Sequence, residues 1–255
     1  MLAAERRNQI KAQVMEHKSV SVTELSKKFH VTAETIRRDL KQLENEGALQ
    51  RSYGGAFVQT GVTNLVDHEI RKTAFVDSKQ TIAKLCRPLI SNGDTIFLDN
   101  STTAYFIARV VADMRITIVT NNLQIINLIA DTGTARLVII GGSFSPKEKG
   151  TYGAVAVKTI GEYYFDKAFV SCRSLSKNLG ASESREQWAE VRQAIIRRAD
   201  ECYLVADYSK FGHTSFIKIC DFRDLAAVVT DRPQDPSWHQ ALAEAGCKLI
   251  DGSEG

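Results

Sequence analysis

Several features that would settle the class of this chain at once are scarce or missing. Its 255 residues include only five cysteines, Cys86, Cys172, Cys202, Cys220 and Cys247, scattered without a C-x-x-C pair. An odd, dispersed set in a chain without a secretory leader argues against a disulfide framework and for a reducing compartment. Four sit in apolar or helical contexts and read as small core residues; Cys172, at a strand end, is the exception. No grouping has the spacing of a metal site, and no cofactor is expected. No segment approaches the roughly 20 apolar residues that span a bilayer, so a soluble, cytoplasmic protein is expected. Charge of one sign is also scarce. The net +3 is too small to prove a polyanion partner, so a case for nucleic acid must rest on where the charges lie.

They lie at the front. Up to Ala56 ten basic residues face seven carboxylates, an excess equal to the whole chain's net charge. With 44% hydrophobic residues the chain can bury a sizeable core, and its length suits a small domain followed by a moderate one. Ile10 and Val14 recur among charged neighbours, giving a first helix over 3–17 whose basic residues are available to phosphates. Ser21 followed by Glu24 is a capping box that starts a second helix. His30-Val31 makes a turn, and Thr32 caps a third helix with Glu34 in its first turn, where the macrodipole favours negative charge. On that helix Ala33, Ile36, Leu40 and Leu43 share one face. Glu34, Thr35, Arg38, Lys41 and Gln42 occupy the other, with Arg37 at the border. Arginine can meet guanine or phosphate with two hydrogen bonds, and a threonine at a helix start can reach a phosphate or a thymine methyl. Residues 49–53, then Gly54-Gly55 and 56–58, read as a hairpin carrying Arg51 and Tyr53, a wing beside the recognition helix.

The string Glu34-Thr35-Ile36-Arg37-Arg38-Asp39-Leu40, with Glu46-Gly47 and Tyr53-Gly54-Gly55-Ala56 after it, resembles the N-terminal domain of the DeoR family of bacterial sugar-catabolism repressors. The candidate contacts to double-stranded operator DNA are Ser21, Thr23, Thr32, Glu34 and Thr35, then Arg37, Arg38, Lys41, Arg51 and Tyr53. The expected divisions are a winged helix-turn-helix over 1–58, a linker over 59–77 with a short helical piece near 68–75, and an α/β domain over 78–255.

That second domain opens with a helix over 79–90. Apolar runs then recur at 95–99, 116–120, 136–140, 167–171, 202–206 and 226–230, with 248–250 a candidate last strand. Near-continuous apolar strands separated by helix-length stretches predict a Rossmann-like, mostly parallel sheet with right-handed crossovers. Ligands of such sheets bind beyond the strands' carboxyl ends. Those ends are polar here: Asp99 to Thr103, Thr120 to Asn122, Gly141 to Ser143, and Asp207 to Lys210. Ser and Thr at such corners are also ordinary helix caps.

The resemblance covers this half too. It implies the DeoR sensor, related in fold to ribose-5-phosphate isomerase, with a phosphorylated sugar or related anionic metabolite as effector. By that analogy Asp99, Ser101, Thr102, Thr103, Asn121, Gly141, Gly142, Asp207 and Lys210 carry over, with Lys149 a weaker candidate. Two departures stand out. Ser101 replaces a usual glycine, and Cys172-Arg173-Ser174-Leu175 replaces a usual run of Gly, aliphatic and Asp. Arg173 therefore reads either as a contact to a second anionic group or as a solvated surface residue. The expectation is a DNA-binding repressor acting as a homo-oligomer, dimer or tetramer. The alternative is a sugar-phosphate isomerase with an accessory DNA-binding module. Isomerisation needs a positioned base, and the corner after the fourth run carries no carboxylate of its own, although Asp99, Asp207 and Glu183 remain candidates.

Overall fold

Capping signals and apolar spacing decide where the first helices begin and which faces they bury. In the computed structural model, which describes residues 2–17, 19–52, 54–58, 68–132, 134–232 and 235–251, α1 (Ala3–His17) turns Ile10 and Val14 inward. A short strand, β1 (Ser19–Ser21), leads into α2 (Val22–Phe29). Ser21 Oγ accepts from the Glu24 amide at 3.1 Å, and the Glu24 carboxylate accepts from the Ser21 amide at 3.3 Å. This reciprocal cap satisfies donors that the helix start would otherwise leave unpaired. His30 ends α2 in the left-handed region at φ 51°. Thr32 then caps α3 (Ala33–Asn45), accepting from the Thr35 amide at 3.2 Å. Ile36, Leu40 and Leu43 of α3 join Leu25, Val22, Ile10 and Val14 in one core.

The wing is β2 (Gln50–Ser52) with β3 (Gly55–Phe57), antiparallel, and β1 pairs with the other side of β3. Gly55 is required at that crossing, because a Cβ there would lie 2.0 Å from the Val20 carbonyl oxygen. A further helix, α4 (His68–Thr73), continues the unit: Ile70 and Ala74 pack on Phe57, whose ring meets Phe75 edge-on at 5.8 Å. The chain divides into two compact units, Met1–Val76 and Asp77–Gly255.

The second unit opens with α5 (Val76–Cys86), which starts earlier and ends earlier than the sequence suggests. Pro88 explains the end: without an N–H it cannot continue the α-helical ladder, and Arg87–Leu89 form a 3-10 turn instead. Strands and helices then alternate as β4 (Thr95–Leu98), α6 (Thr102–Val111), β5 (Thr117–Thr120), α7 (Leu123–Thr132) and β6 (Arg136–Ile139). A small hairpin, β7 (Ser143–Ser145) with β8 (Gly150–Tyr152), precedes α8 (Ala154–Ile160) and β9 (Phe165–Val170). Next come β10 (Ser174–Ser176), β11 (Gly180–Glu183), α9 (Glu186–Ile196), β12 (Ala199–Val205) and β13 (Ile217–Cys220). The chain finishes with β14 (Ala227–Val229), α10 (Ser237–Glu244) and β15 (Lys248–Ile250).

Seven strands form one sheet in the order β15-β14-β12-β9-β4-β5-β6, and every neighbouring pair is parallel. All six apolar runs and the candidate last strand lie in it. Strands β10, β11 and β13 make a separate antiparallel sheet that the sequence did not announce. The order of the main sheet fixes where a ligand belongs. From β4 the chain moves outward through β5 and β6, then returns to the opposite side of β4 and moves outward again through β9, β12, β14 and β15. The direction reverses between β4 and β9, which opens a crevice at their carboxyl ends.

Candidate nucleic-acid interface and effector site

Residues 34, 37, 38 and 41 follow the i, i+3, i+4, i+7 spacing of a single helix face. Glu34, Arg37, Arg38 and Lys41 are all exposed on α3, opposite buried Ile36, Leu40 and Leu43. Arg37 lies 3.5 Å from Glu34, a loose pair in water. Thr32 and Thr35 share a hydrogen bond at 3.0 Å, so their hydroxyls first serve the helix start, as does that of Ser21. Thr23 is exposed on α2. Arg51 of the wing is engaged by Glu44 of α3, and Tyr53 lies outside the described residues.

One expectation about α1 is corrected. Arg6 does not face phosphate; it is 8% exposed, and its Nε donates to Asp39 Oδ2 at 2.6 Å, with Nη2 to Oδ1 at 3.3 Å. Arg7 lies 3.8 Å from the same carboxylate. The hydrogen bond to Asp39 raises the Arg6 pKa above its ordinary value, against a smaller opposing effect of burial. This pair clamps α1 to the middle of α3, inside the family motif.

In the second unit the reversal point is filled by charge. Asp99, which follows β4, is fully buried; Oδ1 accepts from the Ser101 amide at 2.9 Å and Oδ2 from the Ser171 amide at 3.0 Å. Arg192 of α9 reaches across from the side, donating from Nε to Asp99 Oδ2 at 3.0 Å and from Nη1 to Glu183 Oε2 at 2.8 Å. Burial alone would lower the Arg192 pKa, but Asp99 and Glu183 outweigh it and the net shift is upward. Glu183 Oε1 also accepts from Arg173 Nε at 3.2 Å and from the Ser184 amide at 2.7 Å.

Arg173 is thus not a solvated surface residue. It is 8% exposed and holds a second ion pair, at 3.7 Å, with Glu148 from the β7–β8 turn. The corner after β9 has its carboxylates after all, supplied by β11 and by that turn. Sequence reasoning missed Arg192 and Glu148 as members of the site and saw Glu183 only as a possible base.

The remaining strand-end residues frame this network. Ser101 caps α6, accepting from the Ala104 amide at 3.0 Å with φ −77°, a conformation open to any residue. The glycine usual in the family is therefore not needed to make this turn. Thr102 and Thr103 are buried in the first turn of α6. After β5, Asn121 donates from Nδ2 to the Thr151 carbonyl at 2.7 Å, while its buried Oδ1 has no hydrogen-bond partner among the described residues. Asn122 ties the first two loops together through the carbonyls of Asp99 and Ser101 at 3.3 and 3.2 Å.

The β7–β8 hairpin lies over these loops. A Cβ on Gly150 would come within 2.7 Å of the Asn100 Cβ, and the Lys149 carbonyl accepts from the Leu123 amide at 2.9 Å. Gly142, at φ 135°, passes close to Tyr152 and Ala156. Asp207 caps the turn after β12 through the Ser209 amide at 3.1 Å. Lys210 is half-buried, and its charge acts on the Cys172 thiol. Burial still pushes that thiol up to about 12, against the opposing pull of Lys210 and Arg192. Cys172 is therefore an inert thiol at neutral pH. A cavity of about 240 Å³ between α5 and α6, lined by Gln80, Lys84, Phe106 and Arg109, is built from helix faces and takes no group from the strand ends.

The family model for a DeoR-like helix-turn-helix domain matches residues 6–61, and the one for the DeoR C terminal sensor domain matches residues 74–232. The chain belongs to the DeoR family. It is a DNA-binding transcriptional regulator with a sensor domain of the DeoR type behind its DNA-binding domain. The uncharacterized HTH-type regulator YulB of Bacillus subtilis is 34% identical over 98% of this chain and 96% of its own length. The regulator IolR of the same organism is 32% identical over 91% and 92%. The glycerol-3-phosphate regulon repressor of Escherichia coli is 29% identical over 98% and 99%. Ribose 5-phosphate isomerase A of Methanocaldococcus jannaschii covers 53% of this chain and 54% of its own, at 17% identity and a TM-score of 0.40. A likeness of that size carries no argument about chemistry.

Proposed function

We propose that this DeoR-family regulator represses a carbohydrate-utilisation operon and is modulated by a phosphorylated sugar or related anionic metabolite at the carboxyl edge of the main sheet. The observation that carries the reading is the reversal of strand order between β4 and β9, with the start of α6 and half-buried Lys210 beside it. Unpaired amides and the helix dipole at the start of α6 favour an anion, and Lys210 adds a charge-assisted contact. Gly141, Gly142 and Lys149 would close the site from the hairpin side. Relatives named for a glycerol-3-phosphate regulon and a lactose phosphotransferase system support that class of effector. The DNA contacts assigned to the winged helix-turn-helix, residues 1–58, would be released when the effector prefers one arrangement of the chain, typically by about 1–3 kcal/mol.

A sensor fits better than an isomerase. Both oxygens of Asp99 and both of Glu183 are already accepting hydrogen bonds from amides or guanidinium groups, which leaves neither as a free base. A cytoplasmic homo-oligomer, dimer or tetramer, suits repeated operator half-sites. Among the described residues no helix is long and apolar enough to cross a membrane. The test is a thermal-shift screen of sugar phosphates, followed by operator release and NMR of the recovered ligand. A binder should come back chemically unchanged; a new isomer formed in proportion to protein would favour the enzyme. Lys210→Ala should bind operator normally yet stay bound at effector levels that release the wild type. A mutant that melts lower but responds normally would reduce Lys210 to a structural cation.

A further inference from the structure

At the surface a charged side chain ties the end of helix α3 to the wing. Glu44, in the last turn of α3, uses both carboxylate oxygens on a single residue of β2: Oε1 accepts from the Arg51 amide at 2.9 Å and Oε2 from Arg51 Nε at 2.6 Å. The first bond holds the backbone of the wing strand, and the second sets the direction of the guanidinium. Among the described residues neither terminal nitrogen of Arg51 makes a hydrogen bond, so Nη1 and Nη2 remain for a phosphate. Both side chains are 36% exposed, at the surface rather than in the core.

A carboxylate at the base of a DNA-binding wing is electrostatically unfavourable, since it repels every duplex alike. We propose that Glu44 is a positioning residue of the DNA interface, fixing Arg51 against the end of the recognition helix so that helix and wing meet one duplex as a unit. Arginine loses much rotamer freedom when it binds, and a side chain already held in place loses less. Glu44 therefore trades general attraction to DNA for geometry, which favours the operator over random sequence. This inference rests on the DNA-binding function of the family and not on the effector reading above.

Glu44→Gln separates the two effects. The amide oxygen of glutamine can still accept from the Arg51 backbone, so the strand is kept, but its NH2 meets Arg51 Nε donor to donor and releases the guanidinium. The probes are a duplex selected by the wild-type protein from a random library and a random-sequence duplex of equal length, both titrated at several salt concentrations. Affinity for the selected duplex should fall about five- to tenfold, while affinity for the random duplex stays level or rises because a negative charge has gone. In an Arg51→Ala background Glu44→Gln should cause no further loss on the selected duplex, since the residue acts through Arg51. Circular dichroism checks that each variant is folded. Equal changes on both duplexes would reduce Glu44 to a local charge, and an undiminished loss in the Arg51→Ala background would remove Arg51 from its action. Either result overturns the proposal, as would an unchanged affinity for the selected duplex.

Discussion

Arg192→Met tests whether the charge network at the reversal point holds the second unit together. Arg192 is 5% exposed, and its guanidinium bonds Asp99 at 3.0 Å and Glu183 at 2.8 Å, with longer bonds to Asn100 and the Trp188 carbonyl, both at 3.4 Å. Methionine fills much of the same space but donates nothing. Breaking a buried pair by removing one partner costs about 3–5 kcal/mol, because the other charge is left uncompensated. Here two carboxylates lose a partner, yet neither is stranded: Asp99 keeps the Ser101 and Ser171 amides, and Glu183 keeps Arg173 and the Ser184 amide. The lower end of the range, about 3 kcal/mol, is the expected loss.

The assay is urea unfolding followed by tryptophan fluorescence. Both tryptophans, Trp188 and Trp238, belong to the second unit, so the signal reports that unit alone. With a slope of about 2 kcal/mol/M, the midpoint should fall by about 1.5 M. Adding Glu183→Gln to Arg192→Met should recover about 1 kcal/mol, since it removes one of the surplus charges while the amide oxygen keeps its bond to Ser184. A midpoint shift below about 0.3 M, or a Glu183→Gln cost equal in both backgrounds, would refute the reasoning.

Two further outcomes follow from the same geometry. Arg38→Ala should leave folding intact and weaken operator binding by about 1–3 kcal/mol at one base position, or uniformly with a shallower salt slope if it meets phosphate; unchanged affinity in both Arg37→Ala and Arg38→Ala would sink the docking on α3. Burial raises all five thiols, Cys247 to about 11 and Cys172 to about 12, with Cys86, Cys202 and Cys220 also shifted upward. Because the folded values lie above the unfolded value of about 8.5, this stability is complete below that pH and is lost as pH climbs toward the folded values. The melting temperature should drop between pH 8.5 and 11, and native protein at pH 8 should react with a thiol reagent far more slowly than free cysteine. Reaction at the rate of free cysteine would contradict the burial.

The DNA-binding helices were legible because their signals are local. Ser21 with Glu24, and Thr32 ahead of a periodic apolar face, each specify a helix start within four residues, and tertiary packing had nothing to overrule. The parallel strands were legible for a related reason: strands buried on both faces have to be apolar almost throughout, so composition alone marks them. Strand β1 escaped because Ser-Val-Ser is too short to show alternation and its last residue doubles as the cap of α2. The hairpin β7–β8 and the sheet β10-β11-β13 escaped because their strands, such as Ser-Phe-Ser and Gly-Ala-Ser-Glu, are brief and weak in intrinsic preference. Each forms by pairing with its own neighbours, β7 with β8 and β11 with β10 and β13, which no local preference announces.

The candidate effector site divides along the same line. Asp99, Asn121, Gly141, Asp207 and Lys210 could be located because a strand's carboxyl end is readable from where its apolar run stops. Arg192 could not, since on its helix it reads as one more polar position between Val191 and Ala194, and only the fold brings it 93 residues back to Asp99. Glu148 likewise sits in a polar turn that resembles any solvated loop until the hairpin is laid over β4 and β5. Arg173 shows the consequence most directly. Judged by its neighbours in sequence it left open an extra positive charge for the ligand, yet Glu183 and Glu148 reach it from two other elements and offset that charge. The case for a second anionic group on the proposed effector therefore loses its main support, and the start of α6 and Lys210 are left as the proposed contacts to its anion.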